Sequence, residues 1–178
     1  MKVGIKAFAA LLAALMLAAC GSQSTRVRYF SYLDEGTEYA LSGKLDGLPF
    51  TATLQSGGRT AAQGDLTQSS AGFTLTYLSP PALSGVRVDY DAETGELSVR
   101  LGELHATGEV YAALGAPALL LLTESPVSSA RRDKDGSICF ETMDGAHRTL
   151  GTDGKPTHLA WSGDGRSVEV RVESSLVP

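Results

Sequence analysis

The side chains best suited to bind a metal or transfer protons are three histidines, and their spacing favours neither role. They lie far apart along the chain, without the paired spacing of zinc ligands, at His105, His147 and His158. Asp89, Asp91 and Glu93 alternate like the first ligands of a calcium loop. The glycine of such a loop comes one position late, however, and its terminal glutamate is missing. We therefore expect histidines on strands or the surface, a hairpin turn near Asp91, and no metal site.

Motifs of the common enzyme classes are also missing from the sequence. It contains no G-x-S-x-G nucleophile elbow, no P-loop and no glycine-rich dinucleotide fingerprint. We therefore predict a protein that is not an enzyme and has no catalytic residue. An envelope hydrolase is the alternative only if an acid, a base and a nucleophile converge in one cleft.

Cys20 is the residue whose context predicts specific covalent chemistry. Lys2 and Lys6 precede an apolar run from Ala7 to Ala19, about 13 residues, which fits a secretory signal and is too short to span a bilayer. The run ends in Leu17-Ala18-Ala19-Cys20, which resembles the lipobox of bacterial lipoproteins. This resemblance implies cleavage before Cys20 and a diacylglyceryl group on its thiol, with no other cofactor. An ordinary signal peptide with a chance cysteine is the alternative.

A lipid on Cys20 would divide the chain into three segments. They are a signal peptide at 1–19, the lipidated cysteine with a polar tether at 20–28, and one domain at 29–178. At about 3.5 Å per residue the tether spans at most about 30 Å, so we expect the domain close to the extracytoplasmic face of the cell membrane. Residues 26–34 form either a short helical turn or the first contact with the domain.

The negative net charge of the chain argues against binding to negatively charged partners. Its formal net charge is -5, and loss of Lys2 and Lys6 with the signal peptide makes it more acidic. Nucleic acids and anionic headgroups would both repel such a domain. We therefore predict a monomer that reaches the membrane through its lipid, where each buried methylene contributes about 0.8 kcal/mol, and that binds no nucleic acid.

The second cysteine and the single tryptophan have structural explanations. With Cys20 lipidated, Cys139 has no partner for an intrachain disulfide. Its apolar neighbours Ile138 and Phe140 predict a small buried side chain rather than a reactive thiol. Trp161 is expected in the core or at the rim of a cavity, and Arg131-Arg132 at a solvated strand end.

The first half of the chain has the period-two alternation of half-buried antiparallel strands. Strand-like runs lie at residues 39–45, 50–54, 73–77, 86–90 and 97–101. Asp46-Gly47 predicts a tight turn between the first two runs. The turn at residues 92–95 joins the last two into the strongest hairpin of the sequence, and the region as a whole predicts about six strands.

The last third predicts a four-stranded meander. Its turn signals are four Asp-Gly pairs, spaced at roughly nine to eleven residues, which favour type I′ turns; they are Asp135-Gly136, Asp144-Gly145, Asp153-Gly154 and Asp164-Gly165. Between the two β regions, residues 109–124 lack alternation and are rich in alanine and leucine. That composition predicts a helix, kinked or split at Pro117.

The order of these elements resembles the LolA-type lipoprotein carriers and LppX-type lipoproteins. The similarity is best at FTLTYLSPPALSGV, residues 73–86, where a strand runs into a Ser-Pro turn. GKLDGLPF, residues 43–50, is similar to small half-barrel lipoproteins of Gram-positive bacteria. The resemblance implies an α+β, mostly antiparallel half-barrel of about 10 strands with one or two covering helices. It also implies a hydrophobic ligand on the concave face. The soluble carriers have no lipobox, so this chain differs from them in that it would itself be anchored to a membrane.

Two candidate functions follow from these predictions. The first is an anchored envelope lipoprotein that binds a lipid or another hydrophobic ligand in the half-barrel. Its candidate lining residues are Leu54, Phe73, Leu75, Val86, Val88, Leu97, Val99, Leu119 and Leu122. The alternative is a structural or interaction lipoprotein, in which the same residues form an ordinary core and an exposed face binds an envelope protein.

Overall fold

The structure is a computed structural model that describes residues 28–29, 33–34, 36–56, 72–92, 94–108, 111–122 and 125–175. The predicted signal peptide, the lipobox with Cys20 and nearly all of the tether lie outside these residues. The division of the chain at residues 19 and 28 therefore stays a prediction.

One helix and twelve strands make up the described secondary structure. In chain order these are β1 (Arg28–Tyr29), β2 (Glu38–Leu45), β3 (Leu48–Ser56), β4 (Phe73–Ser79), β5 (Arg87–Tyr90), β6 (Leu97–Leu101), β7 (Leu104–Thr107), α1 (Ala112–Leu122), β8 (Ser125–Arg132), β9 (Ile138–Thr142), β10 (His147–Leu150), β11 (Pro156–Gly163) and β12 (Arg166–Ser175).

The strands form one antiparallel sheet in the order β1-β8-β9-β10-β11-β12-β2-β3-β4-β5-β6-β7. Eleven of them form a continuous curved sheet that does not close into a barrel, and the two-residue β1 adds to β8 at one edge. The two halves of the chain join where β12 pairs with β2. The predicted α+β half-barrel fold class is confirmed. The hairpin partner β7 has no counterpart among the strand-like runs that the sequence predicted.

All four Asp-Gly pairs of the last third lie at hairpin turns, so the four-stranded meander is confirmed as β9–β12, with β8 preceding it. The turn type is more varied than predicted. Positive φ at both residues, as type I′ requires, occurs at Asp46–Gly47 and Asp164–Gly165. In the turns of Asp135, Asp144 and Asp153 only the glycine has a positive φ. These turns therefore use an Asp side chain to accept backbone N–H groups.

The core lies on one side of the sheet, which we call the inner face. Across six strands the register aligns a row of direct neighbours on this face: Tyr39, Leu54, Leu75, Val88, Val99 and Ala106. Leu54, Leu75 and Val88 at the centre of the row are fully buried. Burial decreases towards Val99 and Ala106, near the β7 edge.

Helix α1 crosses the inner face and contacts β4, β5, β11 and β12. It runs through Pro117 without a break, so the predicted split does not occur in the described helix. Glu109, Val110, Thr123 and Glu124 of the predicted helix lie outside the described residues. The Tyr77 hydroxyl donates a hydrogen bond of 2.7 Å to the carbonyl of Leu114. Because burial raises the pKa of Tyr77, this hydroxyl keeps its proton and stays a donor.

Of the two alternatives for residues 26–34, contact with the domain agrees with the described part of this segment. Arg28 and Tyr29 pair with the first residues of β8, and Leu33 is buried in the core. Asp34 accepts hydrogen bonds from the Tyr39 hydroxyl and from Lys155 on β10–β11, at 3.0 and 2.5 Å. These contacts connect the start of the domain to both halves of the sheet.

Candidate functional site

The nine residues predicted to line a cavity all belong to one cluster on the inner face. Six are buried: Leu54, Phe73, Leu75, Val86, Val88 and Leu97. Val99 on β6 and Leu119 and Leu122 on α1 are partly buried and pack against the same cluster. The structure thus brings the set together, while a ligand-binding role for these residues stays a prediction.

The middle of the inner face is filled by α1. A Cβ atom at Gly115 would lie 2.6 Å from Leu97 Cδ1 and 3.6 Å from Val88 Cγ1, so the helix backbone lies directly on β5 and β6. Ala118 and Leu121 of the same helix are fully buried in the core cluster. The sequence predicted open space between helix and strands. Over this part of the sheet the helix occupies that space.

Open space remains beside α1. A cleft of about 350 Å³ lies between the helix and the β5–β7 strands. Its lining residues are Tyr90, Gly95, Glu96, Leu97, Thr107, Gly108, Ala112 and Leu119. The volume falls within the range of roughly 300–1,000 Å³ that small-molecule sites occupy. Two of the nine predicted residues, Leu97 and Leu119, line this helix cleft.

Apolar surface extends from the helix cleft towards the sheet edge. Leu101 follows Leu97 and Val99 at alternate positions of β6, so it lies on the inner face, and its register partner is Leu104 on β7. Leu101 is 46% exposed and Leu104 is 74% exposed. The inner face therefore carries uncovered leucines at the end that α1 does not cover.

A second cleft, of about 440 Å³, opens near Phe73 and is more polar. Phe73 and Tyr90 stack with ring centroids 5.4 Å apart, and Tyr90 lines both clefts. Burial opposes ionisation of Asp89 in this cleft. Hydrogen bonds from Arg87 and Thr74 outweigh the burial and hold the pKa of Asp89 below its usual value. Asp89 is thus an ion-paired strand residue.

A third cleft, of about 280 Å³, is lined by Trp161, His147, Lys44 and Glu169 among others. Trp161 packs partly against the core and donates its indole N–H to the Asp144 carbonyl at 2.9 Å. Its placement at a cavity rim is confirmed. Sequence reasoning missed this cleft because cross-strand register, not sequence spacing, brings His147, Glu169 and Lys44 into line across four strands.

The potential metal ligands of the described segments do not cluster. Within these segments no group of three or more His, Cys, Asp or Glu residues could hold a metal ion. Cys139 is half-buried rather than fully buried as predicted, because the strand register pairs it with Arg131 and Thr149 on the face away from the core. Its Sγ lies 3.1 Å from an Asp133 carboxylate oxygen and 3.6 Å from the Thr149 hydroxyl. Arg131 and Arg132 are exposed at the end of β8, as predicted.

In the described part of the chain, no helix is both long enough and apolar enough to cross a membrane. Comparison with family models finds no match. No curated protein matches the sequence either.

Among solved structures, the chain is similar to a LolA superfamily protein from Nitrosomonas europaea, at 7% sequence identity and a TM-score of 0.47, covering 84% of this chain and 89% of that one. It is also similar to an uncharacterized conserved protein from Thermus thermophilus, at 13% identity and a TM-score of 0.39, covering 79% of each chain. The LolA-like, LppX-like and Gram-positive resemblances of the sequence stay predictions.

Proposed function

We propose that this protein is a membrane-anchored envelope lipoprotein that binds one hydrophobic ligand, such as a lipid acyl chain, in the helix cleft. The observation that carries the proposal is the 350 Å³ opening beside an all-apolar helix, bordered by Leu97, Ala112 and Leu119. Each methylene removed from water there contributes about 0.8 kcal/mol, so about six of them would supply roughly 5 kcal/mol before ordering costs.

The rim of the helix cleft narrows the class of ligand. Glu96 and Thr107 lie among its lining residues. A carboxylate at the rim repels a ligand that ends in a second carboxylate, while the Thr107 hydroxyl can hydrogen-bond an ester or an alcohol. We therefore propose a ligand with an uncharged polar end, such as an acylglycerol, rather than a free fatty acid.

Blocking the helix cleft tests the binding role. The chain with Cys20→Ser, which cannot be lipidated, is titrated with a fluorescent monoacylglycerol. We expect saturable binding that Ala112→Trp weakens by at least about tenfold, because the indole occupies the cleft. Ala130→Trp is the matched control, since Ala130 is an exposed alanine on β8 away from the helix. Absence of saturable binding, or equal weakening by both variants, contradicts the proposal.

The anchor is tested separately from the ligand. Wild-type protein is expected in the membrane fraction and to incorporate radiolabelled palmitate, while Cys20→Ser abolishes both. Incorporation of radiolabelled palmitate by the Cys20→Ser protein would contradict acylation at Cys20. Release of the wild-type protein from the membrane by a salt wash would also contradict it.

A protein-binding role is the second candidate, and the close packing of α1 at Gly115 favours it. In that case the inner face is a finished core and the exposed Leu101 and Leu104 contact an envelope protein. Leu104→Ser then abolishes capture of the partner, whereas Ala112→Trp leaves it unchanged. The opposite result, with lipid binding lost in Ala112→Trp alone, supports the first candidate.

A further inference from the structure

The outer side of α1 is unusual for a helix on the surface of a domain. Surface helices normally carry polar residues away from the core, but Ala112–Leu122 reads AALGAPALLLL, with no polar side chain. The positions facing the sheet are buried: Gly115, Pro117, Ala118 and Leu121. Helical spacing places another set away from these positions, and its members are exposed or only partly buried: Ala112, Ala113, Ala116 and Leu120. Ala112 borders the helix cleft, and Ala116 and Leu120 touch the core cluster with part of their surface. We call this set the outer stripe.

The polypeptide enters the domain beside the end of this helix. Tyr29 pairs with Ser125 and Arg28 with Pro126 on β8. Ser125 follows Leu122, the last residue of α1, by only three positions. The eight residue-to-residue steps from Cys20 to Arg28 can span at most about 28 Å, and α1 itself is about 16 Å long. A bilayer that holds lipid at Cys20 therefore lies within reach of the outer stripe.

We propose that the outer stripe of α1 rests on the surface of the membrane that anchors the protein. This inference depends on the proposed acylation of Cys20. The contact is apolar, because the outer stripe carries no charge and the chain as a whole has a net charge of -5, which anionic headgroups repel. Ala112 belongs to the outer stripe and also lines the helix cleft. The mouth of the cleft then faces the lipid, so the bilayer itself supplies the ligand.

A fluorescent probe on the helix tests this orientation. The lipidated full chain, carrying Cys139→Ser, receives an environment-sensitive dye at Leu120→Cys or, in a second variant, at Ala116→Cys. The matched control is Arg171→Cys, because Arg171 is exposed on β12 and points away from the inner face. Each protein is reconstituted into phosphatidylcholine vesicles with and without a nitroxide-labelled phosphatidylcholine.

We expect both helix probes to emit at shorter wavelength and to lose roughly half of their fluorescence to the nitroxide lipid, since interfacial helices bury their apolar face about 5–10 Å into the headgroup region. The control probe should change little, and high salt should not reverse the effect. Helix probes that stay unquenched in vesicle-bound protein overturn the proposal. A shorter-wavelength emission without quenching also overturns it and indicates a second copy of this chain on α1. Ligand binding by the Cys20→Ser chain is measured without vesicles. A failure of ligand binding can therefore be distinguished from a failure of α1 to contact the membrane.

Discussion

Two ends of the inner face are stabilised in different ways. Between β2 and β5 the cross-strand row is apolar, and Leu54, Leu75 and Val88 are fully buried in it. Towards β10, the row that contains Leu159 and Val170 continues instead with Arg148, whose side chain is 0% exposed. Packing therefore stabilises one end, and a charged hydrogen-bonded group stabilises the other.

Asp144 is the centre of the polar end. Its carboxylate accepts hydrogen bonds from Thr142 at 2.5 Å and from Arg148 at 2.7 Å, and its carbonyl accepts one from Trp161. Such bonds are directional and fix the β9–β10 turn, whereas apolar contacts only require volume to be filled. The two ends also differ in the open space beside them. The helix cleft borders apolar side chains, which can adjust, whereas the cleft next to the bonded turn is lined by His147, Lys44 and Glu169.

The largest effect is expected from Leu75→Ala at the apolar end. Removing a fully buried leucine should lower the free energy of unfolding by about 2–5 kcal/mol, from lost transfer energy and the cavity that remains. Leu48→Ala is the control, because Leu48 is exposed at the start of β3. Denaturant unfolding measures both variants. Similar losses in the two would mean that the row under α1 is not the core.

A somewhat smaller effect is expected from Asp144→Ala at the polar end. Breaking a buried pair costs roughly 3–5 kcal/mol, but Asp144 is partly exposed and water can replace part of its bonding, so we expect about 2–3 kcal/mol. Asp135→Ala is the matched control, since Asp135 accepts similar hydrogen bonds in the preceding hairpin turn and faces no buried arginine. It should lose less stability.

The double variant Asp144→Ala with Arg148→Leu sharpens this prediction. Replacing both members removes the buried charge, so unfolding measurements should show recovery of part of the loss caused by Asp144→Ala alone. If the double variant is less stable by the sum of the two single losses, the pair is not what stabilises this end.

The smallest effect is expected from acid. Burial opposes ionisation of Asp144, but the Thr142 hydrogen bond and the charge of Arg148 outweigh it and hold its pKa below the usual value. A folded pKa below the unfolded one gives stability that is present above about pH 4 and is lost as pH falls through the folded pKa. Unfolding free energies measured between neutral and acidic pH should show this loss. It should shrink in Asp144→Asn and stay unchanged in Leu48→Ala.

Much of the fold could be predicted from local pattern. The turns at Asp46-Gly47, Asp144-Gly145 and Asp164-Gly165 lie where Asp-Gly pairs predict them, because few other residues adopt positive φ without strain. β7 was missed because Leu104–Thr107 has too short an apolar alternation to stand out. Its pairing with β6, rather than its own sequence, makes it a strand.

The candidate site was predictable only in part. Apolar alternation identified Leu97, and the composition of residues 109–124 identified Leu119, as residues that face the core. Which of the nine residues border open space depends on how closely α1 approaches the sheet. That approach is set by Gly115, where the missing side chain lets the helix backbone lie on Leu97 and Val88. No periodicity in sequence encodes this distance.

Local sequence pattern was enough to predict the antiparallel strands, their turns, the apolar helix and the lipobox at Cys20, because propensity, period and spacing act within a few residues of the chain. The folded molecule was needed to show that β12 pairs with β2, that Arg148 is buried beside Asp144, and that α1 fills the centre of the inner face and leaves a cleft beside it. Strand register and packing join residues that are distant in sequence, and shape complementarity among them has no local signature.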